Sequence, residues 1–114
     1  MLYVFGDFAL DTQRCELCQA GNPIKLEPLV FHVLAYLIQH RDRVVPKRDL
    51  LEQLWPQQFV SDWALTRCIT EIRRALGCSG RRPQFVKTLY GNGYRFIAAV
   101  TERPPALPVG ATPR

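Results

Sequence analysis

At 114 residues and 47% apolar composition, the chain is long enough for one domain with its own core. No stretch approaches the roughly 20 apolar residues of a membrane span, and Met1 leads into Leu2-Tyr3-Val4-Phe5 without the basic start and apolar run of a signal peptide. The formal net charge is +5 and uneven: residues 1–40 carry two Lys/Arg against four Asp/Glu, and residues 41–95 carry eleven against five. The missing span and signal peptide make the cytoplasm the expected compartment, and the charge asymmetry suggests a polyanionic partner.

The first 26 residues hold short β-like runs: Leu2–Phe5, Phe8–Leu10, Arg14–Gln19 and Ile24–Leu26. Turn-prone Gly6-Asp7, Asp11-Thr12 and Ala20-Gly21-Asn22-Pro23 separate them, which predicts an antiparallel meander. Glu27-Pro28 then opens a helix. Proline is favoured in a first turn, and the Glu27 carboxylate can face the exposed N–H groups there. Val30, Leu34, Leu37 and Ile38 follow helical spacing, Phe31 widens the stripe, and the helix is expected to end near Gln39-His40-Arg41.

Arg43-Val44-Val45-Pro46 breaks that pattern and reads as a brief strand. Lys47 to Leu54 is a second helix with Leu50, Leu51 and Leu54 inward, and Trp55–Val60 is a loop, because Pro56 disfavours helical geometry at Trp55. Ser61 or Asp62 is expected to cap a third helix that runs to Leu76, with Gly77 as its stop.

The third helix divides into two faces. Leu65, Ile69, Ile72 and Leu76 fall within about 60° of arc, with Cys68 and Ala75 on the same side. Opposite them, Trp63, Thr66, Arg67, Thr70, Arg73 and Arg74 span about 120°. The bland reading of that outer arc is a solvated basic face. The sharper one is a helix in the DNA major groove, where Arg pairs with guanine or phosphate and Thr contacts phosphates or thymine methyls.

After it comes Thr88–Phe96, TLYGNGYRF. The pair of glycines is no phosphate loop. A dinucleotide fingerprint needs a third glycine where Phe96 stands, and a Walker loop needs a Gly-Lys-Ser/Thr ending. Phe85–Leu89 and Tyr94–Ile97 are instead rich in β-branched and aromatic residues around a Gly-Asn-Gly turn, which predicts a hairpin.

Other chemistry has little support. Cys15 and Cys18 have knuckle spacing, but Cys68 and Cys78 do not supply a second pair, so neither zinc nor a disulfide is expected. His32 and His40 have no acid or cysteine at useful spacing. No catalytic residue, cofactor or metal is expected.

Strands, three helices and a hairpin in this order resemble the OmpR-type winged-helix domain, the transcriptional regulatory protein C-terminal family. The carrying segments are FGDFALD, LEPLVFHVLAYL, RVVPKRDLLEQLW, FVSDWALTRCITEIRRALG and FVKTLYGNGYRF, between about Tyr3 and Ala99. The resemblance implies an α+β fold: an N-terminal four-stranded antiparallel sheet, three helices and a C-terminal β-hairpin wing. It also implies sequence-specific binding of double-stranded DNA in transcription regulation, and signal transduction as the setting. The third helix would lie in the major groove, with the wing on the flanking backbone or minor groove.

Carried over residue by residue, the DNA-facing set is Trp63, Thr66, Arg67, Thr70, Arg73, Arg74, Lys87, Thr88, Tyr90, Asn92 and Arg95. Arg73, Arg74, Lys87, Thr88 and Arg95 keep the family's residue types. Trp63, Thr70, Glu71, Tyr90 and Asn92 stand where the family often has basic residues, which weakens phosphate attraction. The layout is closest to CadC- and ToxR-like regulators, which carry this domain at the N-terminus. Residues 1–100 are then the domain, and 101–114 a proline-rich tail or the start of a linker. A second copy on an adjacent half-site, and RNA polymerase at the loop 55–61, are further partners that the resemblance implies. The competing reading is a winged-helix protein-interaction module that uses the Trp63/Tyr90 surface.

Overall fold

Four short strands open the chain: β1 (Leu2–Phe5), β2 (Phe8–Asp11), β3 (Glu16–Gln19) and β4 (Asn22–Ile24). They come from a computed structural model that describes residues 1–55, 62–77 and 85–104. The strands form an antiparallel meander in which Tyr3 lies opposite Leu10 and Leu10 opposite Leu17. Period-two alternation turns Tyr3, Phe5, Phe8, Leu10 and Leu17 onto one buried face. β2 runs one residue longer than expected, and β3 and β4 differ more. β3 begins at Glu16, because Cys15 takes a φ of 52° that interrupts extended backbone. β4 pairs Asn22 with Gln19 and is over by Ile24.

Three helices follow: α1 (Pro28–Gln39), α2 (Lys47–Leu54) and α3 (Asp62–Ala75). α1 packs against both α2 and α3, which is why it buries Val33 and Ala35 beyond the single stripe that its sequence suggests. Pro28 sits in its first turn as expected, but the Glu27 side chain makes no capping hydrogen bond. The Glu27 carboxylate goes instead to Arg67, a charged partner that the neutral N–H groups do not match. In α3 the inward arc is as expected, with Leu65, Cys68, Ile69, Ile72 and Leu76 buried. Burial also pushes the Cys68 thiol up, away from thiolate reactivity. Trp55 leaves α2 for the loop as expected, and its side chain is buried. The rest of that loop, the cap at Ser61, and Cys78 lie outside the described residues.

The hairpin is β5 (Val86–Leu89) and β6 (Gly93–Phe96), paired antiparallel with Lys87 opposite Arg95. A turn closed by Asn92 N–H donating to Leu89 O (2.8 Å) joins them, with Gly91 at φ 82°. Gly93, expected in the turn, opens β6 instead. The anticipated strand at Arg43–Pro46 is reduced to one bridge, Val45 to Tyr94, with N···O distances of 2.7 and 3.0 Å. Four phenylalanines fasten the hairpin base to the sheet. Phe5 lies 5.1 Å from Phe96 and 5.8 Å from Phe85, ring centre to ring centre, and Phe8 lies 5.5 Å from Phe85.

A final strand, β7 (Thr101–Arg103), pairs antiparallel with β1 and makes the sheet five-stranded, in the order β4-β3-β2-β1-β7. The four-stranded sheet expected at the N-terminus thus gains a fifth strand from residues 101–103. All three β7 side chains are exposed, so the strand is held by backbone pairing and carries no apolar alternation. Glu102 adds an ion pair to Arg41 at 2.8 Å.

Candidate nucleic-acid interface

The outward face of α3 stands beside the wing because one side chain joins them. Arg73 donates through Nη2 to Val86 O (3.0 Å) and to Thr88 Oγ1 (2.7 Å). Sequence spacing placed Arg73 on the outer arc, yet its guanidinium is half-buried and acts as a brace. A cleft of about 280 Å³ lies between α2, α3 and the wing, lined by Lys47, Thr66, Thr70, Arg73, Thr88 and Tyr90, among others. Five of those six were expected in the DNA-facing set; Lys47 was not.

Lys47 had a readable signal. Lys47 and Arg48 occupy the first turn of α2, the positive end of the helix, where cations are disfavoured. Basic residues at such a place need a reason beyond the helix. A second hollow, about 460 Å³, runs from Lys47, Arg48 and Asp49 to Gly91 and Asn92 at the wing turn. Asn92 therefore belongs with α2 rather than with α3.

The remaining candidates separate from the cleft. Lys87 and Arg95 are exposed on the opposite face of the hairpin from buried Val86, Tyr94 and Phe96. Arg95 Nε donates to Arg41 O at 3.3 Å, so it braces the hairpin against the end of α1. Arg41 is a second residue that spacing missed. It donates through Nη1 to Ile38 O (2.9 Å) and lies 6.0 Å from the centre of the Tyr3 ring.

On α3, Arg67 Nη1 pairs with Glu27 Oε1 at 3.0 Å, and Arg74 Nη1 with Glu71 Oε2 at 3.3 Å. The Glu27 hydrogen bond, then its charge, raises the Arg67 pKa above its usual value. Both pairs are solvent-exposed and weak, so a phosphate can displace either acid. Trp63 (70% exposed) and Tyr90 (91% exposed) stand at the start of α3 and the end of β5 without burying their rings. Thr70 Oγ1 donates to Thr66 O at 3.0 Å. Among the described residues no three His, Cys, Asp or Glu side chains cluster as metal ligands. Cys15 and Cys18 are free thiols, Cys15 exposed and Cys18 half-buried.

A braced helix and wing, with a cationic cleft between them, is the arrangement of a winged helix. The family profile "Transcriptional regulatory protein, C terminal" matches residues 21–96. The chain belongs to that family. It is 34% identical over 110 residues to the transcriptional regulator HilA of Salmonella typhi, a match that covers 96% of this chain and 20% of HilA. The chain thus spans about a fifth of that relative's length. Among solved structures, response regulator DrrB, a Thermotoga maritima OmpR/PhoB homolog, superposes with a TM-score of 0.77 at 34% identity, covering 83% of this chain and 43% of DrrB. The DNA-binding domain of E. coli CadC superposes at 0.76 over 88% of this chain and 94% of that domain. At 22% identity, the CadC match is a likeness of fold alone.

Proposed function

We propose that this domain binds double-stranded DNA sequence-specifically in transcription regulation, with α3 in the major groove and the wing on the flanking backbone or minor groove. The Arg73 brace carries the reading, because it presents the α3 face and the wing as one surface with Lys47 between them. The family, and the regulatory role that the name of its relative HilA states, support it. Arg67, Arg74, Lys87, Arg95 and Lys47 are the cations proposed to meet phosphate. Trp63, Thr66, Thr70, Tyr90 and Asn92 are proposed to lie against bases, sugar or backbone.

Catalysis has no part in this reading. No helix among the described residues is long and apolar enough to cross a membrane, and the cytoplasm is the proposed compartment. A second copy on an adjacent half-site is proposed for tight binding, since a single small module covers roughly 600–1,000 Å². RNA polymerase at the loop 55–61 is proposed on the family resemblance alone. The pairing of β7 supports a proposed domain that runs through Arg103, with a proline-rich linker after it.

Affinity for duplex DNA is expected to fall steeply with salt. Three to five neutralised phosphates give a slope of roughly −2.7 to −4.5 in log affinity against log salt. A flat slope for tight binding, measured by anisotropy titration, would remove the cationic surface from the interface. The protein-interaction reading draws on the bare rings of Trp63 and Tyr90. Absence of binding to both random duplex and candidate promoter DNA at low salt would favour it.

Glu27→Gln tests the Arg67 pair. It removes a negative charge beside α3 and frees the guanidinium, so DNA affinity is expected to rise at low salt while stability changes little. A titration and a thermal melt together decide this. Unchanged affinity in the folded variant would place Arg67 outside the interface.

A further inference from the structure

The middle of the α3 outer face is uncharged. At about 100° per residue, Trp63 and Thr70 lie roughly 20° apart around the axis and about 10 Å apart along it. Arg67 and Arg73 lie to either side, and Arg74 continues the line one turn beyond Thr70, about 20° from Trp63 around the axis. Arg67 leans to Glu27 of the segment before α1, Arg73 reaches to β5, and Arg74 turns to Glu71.

The two side chains on this strip offer carbon. Trp63 is 70% exposed, with only its ring N–H as a polar atom. The Thr70 hydroxyl spends its proton on the carbonyl one turn back, at 3.0 Å, so toward a ligand it offers its methyl group and no donor. An exposed apolar strip bordered by cations has little use in water alone. It matches one feature of the major groove: the thymine 5-methyl, the apolar group that marks an A·T pair there and is contacted by Thr methyls and aromatic rings. Arginines on its flanks suit the phosphates on either side of the groove.

We infer that Trp63 and the Thr70 methyl read thymine methyls, so that the preferred half-site carries A·T pairs under the first two turns of α3. The inference rests on the DNA-binding reading above and specifies its target. It also accounts for uncharged residues at two positions where the family resemblance implies basic ones.

Selection from a random duplex library, followed by resynthesis of the recovered site with deoxyuridine in place of thymine, tests it. Deoxyuridine keeps pairing, charge and groove shape while deleting the methyl. Affinity is expected to fall about fourfold for each methyl covered. Trp63→Ala and Thr70→Ser are each expected to bind the thymine site more weakly and to lose part of the preference for thymine over deoxyuridine. Thr70→Ser is the sharper of the two, since it retains the hydroxyl and its carbonyl partner. Both positions are exposed, and circular dichroism establishes that the variants are folded. Equal affinity for thymine and deoxyuridine sites overturns the inference and leaves DNA binding standing. A thymine preference that neither variant reduces overturns the assignment to these residues. A library that returns no enriched duplex at low salt defeats the DNA-binding reading itself.

Discussion

Gly93→Ala is expected to lower the unfolding free energy by roughly 2–4 kcal/mol, combining the cost of overpacking with that of an unfavourable φ. Gly93 opens β6 at a φ of 149°, against the bridge that ties the wing to Val45. A Cβ built there would meet the Val45 carbonyl oxygen at 2.1 Å and Pro46 Cα at 2.9 Å. Both are backbone atoms, so no side chain can swing aside to make room. Relief requires moving β6 away from Val45, at the expense of the two hydrogen bonds between Val45 and Tyr94. Chemical denaturation measures the effect, and Gly91→Ala is the control. Gly91 also has positive φ but nothing within 4 Å of an added Cβ, so its cost is expected to be only the strain of about 1 kcal/mol. Equal losses at the two positions would show that backbone conformation, rather than the approach of Val45, makes Gly93 necessary.

Arg73→Ala is expected to weaken DNA binding about 10- to 100-fold and to lower stability by about 1–3 kcal/mol. The truncation removes the donor that Val86 O and Thr88 Oγ1 share in a half-buried place, and the wing loses its brace to α3. Arg73→Lys separates bracing from charge. An ammonium keeps the positive charge but lacks the planar fork of guanidinium donors. The Lys variant is expected to recover the salt slope of the parent while remaining destabilised, with faster hydrogen exchange at the wing amides. Full recovery of both stability and affinity by Lys would reduce Arg73 to a point charge. Parental affinity in a folded Arg73→Ala protein would place the cleft outside the interface.

The legible parts of this fold were those written in periodicity. Leu65, Ile69, Ile72 and Leu76 repeat every three or four residues, so the inner face of α3 follows from spacing alone. The hairpin was legible from its β-branched and aromatic runs around a glycine-rich turn. β7 was not, because Thr101, Glu102 and Arg103 bury no side chain and are held through the backbone. At the candidate site, spacing located the outer arc but not the occupations of its arginines. Glu27, the partner of Arg67, is 40 residues away in sequence, and only the packing of α1 against α3 brings the two together. The brace made by Arg73 was hidden for the same reason. Lys47 could have been found, because a cation in the first turn of a helix opposes the local dipole.

The pairing of β7 with β1 governs how the domain answers a pull. Leu2 faces Arg103 across the ladder, so the polypeptide leaves the sheet beside the point where it joins it. Load applied through those two ends opens the ladder rung by rung, as a zipper, instead of shearing every rung at once. Peeling β7 exposes none of its own side chains from the core, so little resists the first step. Its departure does take Glu102 from Arg41, whose carbonyl receives the Arg95 guanidinium of the wing. Tension on the segment beyond Pro104 is therefore felt at the root of the wing before the core yields.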